Sequence, residues 1–265
     1  FANDIDEDIA YVRAAYDRGE LTEERLSDAL HRILGLKARL HLYEDAVRSP
    51  SHDKLEVIGC DEHKAYTAEA AEGCITLVKD TRANLPMDPT RRKRVFLVYV
   101  GTTPNSKGYQ GDPVKQVLVE ELERAGFEVD LCPNYYDLEI KNGVSPMNFV
   151  KMLGHESRKS FTDTHDWALL VFNIKGYAQE NEVRVRWSCN HSMELPWYNE
   201  EVPTVGMSLN YTNHLIDVPQ LHTFINAYAP NRTHIRSAIA KITGQSPFLG
   251  QADETVFCGR WDTRL

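Results

Sequence analysis

The stretch that decides the fold is residues 94–101, which read Arg-Val-Phe-Leu-Val-Tyr-Val-Gly. Residues 95–100 are an unbroken run of β-branched, aromatic and other apolar side chains, too short to form a helix of its own. Such a run predicts a strand that is buried on both faces, as in parallel sheets. Gly101 ends the predicted strand, and a polar loop follows it.

A helix and a second strand follow this loop. Asp112 is predicted to cap the helix and Pro113 to occupy its first turn, because aspartate accepts from free amides and proline lacks one. The helix, residues 114–125, has its apolar positions on one side, and Gly126 then starts a strand at 127–132. Together these elements predict a βαβ unit with a right-handed crossover.

The rest of the chain repeats the alternation of strands and helices. Further strands are predicted at 74–78, 167–174, 183–187, 204–209 and 224–227, and helices at 61–72, 145–153 and 231–242. The predicted fold class is therefore α/β, with an open, mostly parallel, doubly wound sheet, an α/β sandwich. The tail, residues 245–265, is predicted to be loop-like, with three aromatic anchors at Phe248, Phe257 and Trp261.

Two helices precede the first strand. Asp4 is predicted to cap a helix over 4–18, and Thr22 to cap a second one with acidic residues in its first turn. The second helix carries a wide apolar stripe along one side. It is formed by Leu26, Ala29, Leu30, Ile33, Leu34, Leu36 and Leu40. Either these helices dock on the later sheet, or their partner lies upstream. Residues 41–60 are polar and are interpreted as a linker.

Composition narrows the classes of partner. The 265-residue chain has a net charge of -9, which argues against nucleic acid, and the basic run 91–94 is interpreted as a solvated loop. No apolar run approaches the length of a membrane span, and no signal-peptide pattern is found. Five cysteines without paired spacing favour a reducing compartment, and hence a cytoplasmic over a secreted location.

No constellation of residues justifies a catalytic, metal or cofactor assignment. The loop at 101–111 lacks G-x-G-x-x-G and the P-loop motif, so nucleotide binding is not predicted. Asp163, His165 and Asp166 are the tightest acid–imidazole group, and a turn rich in polar caps is the preferred interpretation. Cys189 and His191 are too isolated for a zinc site.

Several segments resemble one enzyme family in the right order. Residues 19–26, Gly-Glu-Leu-Thr-Glu-Glu-Arg-Leu, and the leucine-rich run at 32–40 resemble the last barrel helix of family 3 glycoside hydrolases. Residues 68–80 and Asn-Leu-Pro-Met at 84–87 resemble the entry to the family's second, α/β sandwich domain. Pro-Thr-Val-Gly-Met-Ser-Leu-Asn-Tyr at 203–211 resembles the end of that domain in the β-N-acetylglucosaminidase-like branch.

The resemblance implies a division of the chain and a role for it. Residues 1–43 would be terminal helices of a missing (β/α)8 barrel, 44–60 a linker, and 61–265 the C-terminal sandwich domain. No segment matches the family's nucleophilic aspartate or its His-Asp pair, so the chain alone is expected to be inactive. The implied partners are the barrel domain of the same enzyme and a carbohydrate substrate cleaved with retention; a second copy of the chain is a further candidate.

The residues expected to contact sugar are aromatic. Tyr109, Tyr177 and Trp187 are the candidate substrate-binding residues, because aromatic rings stack on sugar faces, although core packing is the commoner use of such side chains. The sequence does not predict that this domain supplies a catalytic acid. If it did, the candidates would be Glu180, Glu182, Glu194, Glu200 and Glu201. The alternative to a hydrolase domain is a stand-alone module that binds sugar or nucleotide without catalysis.

Overall fold

A computed structural model describes residues 4–44, 52–101, 113–132, 157–174, 184–185, 187 and 195–264. The chain forms two compact units, Phe1–Cys60 and Asp61–Leu265. The predicted cap at Asp112 and the predicted helix at 145–153 involve positions outside the described residues.

The first unit contains two capped helices. Helix α1 (Ile5–Asp17) begins after Asp4, whose Oδ1 accepts from the backbone amides of the next turn at 3.0 and 3.1 Å. Helix α2 (Glu23–Arg39) begins after Thr22, whose Oγ1 accepts from the Arg25 amide at 3.2 Å. Neither helix has a buried residue. The predicted linker contains a short 3-10 helix, His52–Val57.

The second unit is built around a six-stranded sheet. Its strands are β1 (Thr76–Asp80), β2 (Arg94–Gly101), β3 (Glu128–Leu131), β4 (Trp167–Asn173), β5 (Thr204–Ser208) and β6 (Thr223–Asn226). Their order across the sheet is β1-β6-β5-β4-β2-β3. All neighbours pair in parallel except β1, which runs antiparallel to β6 at one edge. The predicted α/β class and mostly parallel sheet are confirmed.

Helices and short segments cover both faces of the sheet. The helices of this unit are α3 (Asp61–Cys74), α4 (Pro113–Arg124), α5 (Arg158–Thr164) and α6 (Arg232–Ile242). Side chains of β4 alternate between two cores: Trp167, Leu169 and Val171 face one, and Ala168, Leu170 and Phe172 face the other. Helices α4 and α6 pack in the first core, whereas α5 and irregular segments pack in the second.

Buried charged groups join elements on the first face. The carboxylate of Glu121 on α4 is 1% exposed and accepts from three arginines, Arg124, Arg232 and Arg236, at 2.7–3.0 Å. These hydrogen bonds, that from Arg236 above all, lower the pKa of Glu121 to about 2. On α6, the buried ammonium of Lys241 binds Glu72 of α3 at 2.8 Å and the Pro247 carbonyl at 2.7 Å. Removal of Glu72 would leave the buried ammonium of Lys241 without a compensating charge.

Two expectations for the later part of the chain need correction. Trp261 does not anchor the tail, because its side chain is 72% exposed; Phe257 is buried and Phe248 packs against the first core. Arg184 and Val185 are not in a strand: the guanidinium of Arg184 and the backbone amide of Val185 both bind the carboxylate of Asp217. At the described positions of this predicted strand, Arg184, Val185 and Trp187, no sheet pairing is found.

Gly206 in β5 provides a test of how tightly the second core is packed. A Cβ atom at this position would lie 2.6 Å from a ring carbon of Phe224 and 2.7 Å from a methyl carbon of Leu221. Gly206→Ala is therefore expected to lower the free energy of unfolding by about 1–3 kcal/mol, the usual cost of overpacking. Chemical denaturation followed by circular dichroism measures the change.

Gly73→Ala in α3 is the matched control. A Cβ atom there meets nothing within 4 Å, and alanine is the better helix former. The control is expected to raise the free energy of unfolding by about 0.5–1 kcal/mol. A loss of stability in the control as large as that caused by Gly206→Ala would contradict the packing argument.

Candidate functional site

The carboxyl edge of the sheet is the candidate site. From β2 the chain steps to β3 on one side, and it then returns to β4 on the other side of β2. In open α/β sheets, ligands bind in the crevice outside the carboxyl ends of the strands at such a switch point. The edge between β2 and β4 is therefore where a binding site is expected.

Polar residues end three neighbouring parallel strands at this edge. The last residues of β4, β5 and β6 are Asn173, Ser208 and Asn226, and each side chain is at least 95% buried. Because parallel strands end at the same edge, these three residues lie side by side, as the pairing of Ser208 with Asn226 shows. The sheet therefore presents hydrogen-bonding groups, not apolar ones, at its carboxyl end.

A chain of hydrogen bonds crosses the switch point. Asn173 donates through Nδ2 to the hydroxyl oxygen of Tyr99 at 2.6 Å, and Asn210 donates through its Nδ2 to Oδ1 of Asn173 at 2.6 Å. The three side chains belong to β2, β4 and the turn after β5. The ammonium of Lys115 on α4 lies 6.0 Å from the centre of the Tyr99 ring. The network fixes the side chains of the crevice before any ligand is present.

The imidazole of His214 is held in one tautomer beside this network. Ser208 Oγ lies 2.6 Å from the carbonyl oxygen of Tyr211, which can only accept, so the hydroxyl donates to it. His214 Nδ1, at 2.8 Å from the same Oγ, must then donate to it. Nε2 is left as an acceptor, and it is buried without a hydrogen-bond partner among the described residues.

Burial keeps His214 uncharged. It lowers the pKa of the imidazole from 6.5 to about 4, and the attraction of Asp217 for the imidazolium opposes this only in part. At neutral pH the group is a hydrogen-bond acceptor at Nε2 and not an acid. Because the Ser208 hydroxyl donates to a carbonyl, this serine is not activated as a nucleophile. The arrangement can bind donors, but it has no nucleophile–base pair.

Two of the five acid candidates lie at the opposite, amino edge. Glu200 accepts from Arg82 at 2.6 Å and from His222 at 2.8 Å, and these bonds lower its pKa, the one from His222 most. Glu201 forms an ion pair with Arg158. A general acid needs a raised pKa, so Glu200 does not suit that role, and the carboxylate of Glu201 is committed to its ion pair. Glu180, Glu182 and Glu194 lie outside the described residues.

The predicted aromatic contacts have different outcomes. Tyr109 and Tyr177 lie outside the described residues and stay predictions. Trp187 is partly buried and packs edge-on against Phe172, with ring centroids 6.1 Å apart, as part of the second core. Of the neighbouring aromatic pair, Tyr198 is buried and Trp197 packs on the Phe161 ring at 5.0 Å. The described aromatics are therefore used at least partly for packing.

The acid–imidazole group before β4 has a structural role. Asp166 accepts from the backbone amide of Arg94 at 2.8 Å and from its guanidinium at 2.6 Å, which lowers the pKa of Asp166. His165 contacts Asp130 Oδ2 through Nε2 at 2.9 Å and the Phe161 carbonyl oxygen through Nδ1 at 3.1 Å. These contacts tie α5 and the start of β4 to strands β2 and β3, so the interpretation as polar caps is supported.

His214, Ser208 and Asn226 were not among the residues singled out from the sequence. A positional signal could have identified Ser208 and Asn226: like Asn173, each is a polar residue that directly follows a buried apolar run, whereas no such signal marks His214. That signal becomes informative only when the strands are known to be parallel neighbours.

Among the described residues, no cluster of His, Cys, Asp and Glu is arranged to hold a metal ion, and no helix is both long and apolar enough for a membrane crossing.

Comparison with known proteins shows which enzymes share this fold. No protein-family model matches the chain. A β-N-acetylglucosaminidase/β-glucosidase of Cellulomonas fimi is 33% identical over 267 aligned residues, which cover 100% of this chain and 45% of that enzyme. The structure of β-glucoside phosphorylase BglX is 30% identical, with a TM-score of 0.69, covering 100% of this chain and 44% of the other.

A family 3 β-N-acetylglucosaminidase of Paenibacillus shares the fold, with a TM-score of 0.51, 18% identity, and coverage of 90% of this chain and 40% of the other. The second unit is therefore an α/β sandwich of the kind found in glycoside-cleaving enzymes. The chain matches relatives of the family 3 glycoside hydrolases, the family that its sequence motifs resemble. It spans less than half the length of the relatives that it matches along its whole length.

The buried imidazole at the candidate site predicts a pH dependence. Because the pKa of His214 is lower in the folded state, the unfolded chain binds more protons between pH 6.5 and 4, and stability falls as the pH falls through this range. The loss due to this group is expected to approach 3 kcal/mol, at about 1.4 kcal/mol per pH unit. Denaturation at closely spaced pH values measures it.

His214→Asn keeps a donor toward Ser208 and removes the titrating group, so the variant is expected to lose less stability than the parent between pH 6.5 and 4. His63→Gln, at an exposed position of α3, is the matched control and is expected to follow the parent. Parallel pH profiles for the parent and His214→Asn would contradict the assignment.

Proposed function

We propose that this chain is the non-catalytic C-terminal domain of a family 3 glycoside hydrolase that cleaves β-linked N-acetylglucosaminides. The observation that carries the proposal is the match of the entire chain to less than half of an enzyme named for this activity. A barrel domain of the same enzyme would supply the catalytic residues, and the present domain would support it and line its substrate cleft.

The chemistry of the carboxyl edge supports a binding role. Its described side chains are amides, hydroxyls and a neutral imidazole, which pair well with sugar hydroxyls and amides. Retaining glycosidases need two carboxyl groups about 5 Å apart across the scissile bond. The described acid candidates, Glu200 and Glu201, are committed to ion pairs at the opposite edge.

The division of the chain is part of the same proposal. Residues 1–43 would be the terminal helices of the barrel, 44–60 the linker, and 61–265 the sandwich domain. Large apolar side chains on both helices are 47–58% exposed: Ile9, Val12, Leu30, Ile33, Leu34 and Leu36. Apolar surface of this extent normally marks a contact with another domain or protein. A barrel sheet is a partner of suitable chemistry for this surface.

The proposed sugar contacts are aromatic. Tyr109 lies between β2 and α4, and Tyr177 follows β4, so both lie in segments that leave the strands flanking the switch point. Trp187 contacts Phe172, which is also on β4. Rings in these positions would stack on the faces of a sugar bound at the carboxyl edge. The three residues are proposed as substrate contacts of the whole enzyme.

Phosphorolysis is the second candidate reaction. The β-glucoside phosphorylase matches the whole chain with the highest TM-score among the structures compared above. A phosphorylase and a hydrolase of this type would differ in the acceptor that receives the glycosyl group, phosphate or water. The difference would therefore lie in the acceptor site of the whole enzyme and not in the fold of this domain.

The chain by itself is expected to show no turnover of a chromogenic β-N-acetylglucosaminide, because the chemistry is assigned to the barrel. The release of the chromophore is measured against a heat-inactivated sample at equal concentration. Turnover above that control, retained after extensive purification, would contradict the assignment of all catalytic residues to the barrel.

The whole enzyme distinguishes the two reactions. Hydrolysis predicts that the rate of chromophore release is unchanged by inorganic phosphate and that free sugar is the product. Phosphorolysis predicts a rate that rises with phosphate and the appearance of a sugar 1-phosphate, which chromatography detects. Sulfate at equal ionic strength is the control for a salt effect.

A further inference from the structure

The carboxylate of Asp217 holds the segment that joins β4 to β5. Its side chain is 13% exposed, and it accepts from the backbone amide of Val185 at 2.9 Å and from Nε of Arg184 at 2.7 Å. A backbone amide and a guanidinium together fix both the position and the direction of the chain at this point. Neither donor residue lies in a helix or strand, so these contacts stand where regular hydrogen bonds would otherwise hold the backbone.

Asp217 belongs to a turn that is itself fixed to the end of β5. It follows the short 3-10 helix His214–Ile216, and its amide donates to the carbonyl oxygen of His214 at 3.0 Å. The imidazole of His214 is bound in turn to Ser208, the last residue of β5. Val218, the next residue along the chain, is fully buried in the second core. The acceptor is therefore held in place independently of the segment that it binds.

Trp187 lies two residues beyond the anchored amide. Its partly exposed ring packs edge-on against Phe172, near the carboxyl end of β4. Phe172 also contacts the ring of His214, with centroids 5.8 Å apart, so Trp187 and the anchoring turn meet on the same residue. Because two residues of extended chain span at most about 7 Å, a displacement of Val185 from its acceptor would carry Trp187 with it.

The Asp217 contacts differ from an ordinary surface ion pair. The side chain of Arg184 is 48% exposed, and an exposed ion pair by itself contributes little to stability. The amide of Val185 is a different donor, because it belongs to the backbone and its acceptor is largely buried. Arg260 of the tail, which the Asp217 charge attracts from further away, is committed to Asp262 at 2.6 Å. The carboxylate therefore serves the segment between β4 and β5.

We propose that Asp217 is the positioning residue that holds the Trp187 ring at the carboxyl edge for the sugar of the whole enzyme. The inference rests on the proposed function, which makes Trp187 a substrate contact. Asp217 does not touch the sugar: it acts through the chain at 184–187 and through the packing of the indole on Phe172. A ring that is held in advance loses less conformational freedom on binding than one that the ligand must order.

Fluorine magnetic resonance of the chain labelled with 5-fluorotryptophan measures the position of the Trp187 ring. Loss of one signal in Trp187→Leu identifies it among the four tryptophans. Asp217→Ala removes the acceptor and is expected to move this signal toward that of solvent-exposed tryptophan, while the other three stay in place. Asp217→Asn keeps an oxygen for the Val185 amide and is expected to leave the signal close to its parental position.

Asp88→Ala is the matched control. The carboxylate of Asp88 also binds a backbone amide, that of Thr90 at 2.9 Å, and an arginine, Arg91 at 3.7 Å, but it lies between β1 and β2. All four tryptophan signals of this variant are expected at their parental positions.

In the whole enzyme, Asp217→Ala is expected to raise KM for a chromogenic β-N-acetylglucosaminide about fivefold and to leave kcat within about twofold, because the loss falls on binding and not on the chemical step. Trp187→Leu is expected to raise KM at least as much. The double variant is expected to have the KM of Trp187→Leu alone, because effects that pass through one side chain are not additive.

Two results would overturn the proposal: an unchanged Trp187 signal in Asp217→Ala, or KM increases that multiply in the double variant. If Asp217→Ala does not fold, Arg184→Met decides; it is expected to move the Trp187 signal in the same direction, and an unmoved signal would count against Asp217. A parental KM in Trp187→Leu would refute the sugar contact assigned under the proposed function, and the fluorine signal would still decide the role of Asp217.

Discussion

The parallel pairing of β2 with β4 is the interaction on which the rest of the sandwich depends. The two strands are in register from Val95 with Trp167 to Gly101 with Asn173, and every residue of β4 is buried. Because both faces of a parallel sheet must be covered, the apolar side chains of these strands alternate between two cores. The helices on one face and the short segments on the other are held by this single layer.

The same pairing creates two edges with different chemistry. At the carboxyl edge, Asn173, Ser208 and Asn226 end adjacent strands, and their partners are neutral amides, hydroxyls and His214. At the amino edge, Glu200 and Asp166 are held by arginines. Ion pairs there fix the starts of strands, whereas the neutral groups at the other edge can exchange protein donors for ligand donors. The two edges therefore differ in chemistry, and the neutral carboxyl edge is the one suited to binding sugar.

The site was less predictable than the fold. The sequence predicted the βαβ unit, four later elements and the caps at Asp4 and Thr22, because each depends on a local period or on one side chain near a free amide. It did not predict that β1 would run antiparallel to β6, or that Trp261 would remain exposed. Both outcomes depend on which surfaces are left uncovered once distant segments have packed.

What the sequence by itself determined is most of the elements, their α/β class and the resemblance to one enzyme family, because apolar periodicity, capping residues and ordered motifs are all local properties. Only the tertiary structure decided the strand order, and with it the meeting of Tyr99, Asn173 and Asn210 across 111 residues of chain. It also decided the charge state of His214, since that depends on burial by Phe172 and its neighbours. Such contacts follow from how the strands pack side by side, and no local pattern encodes that arrangement.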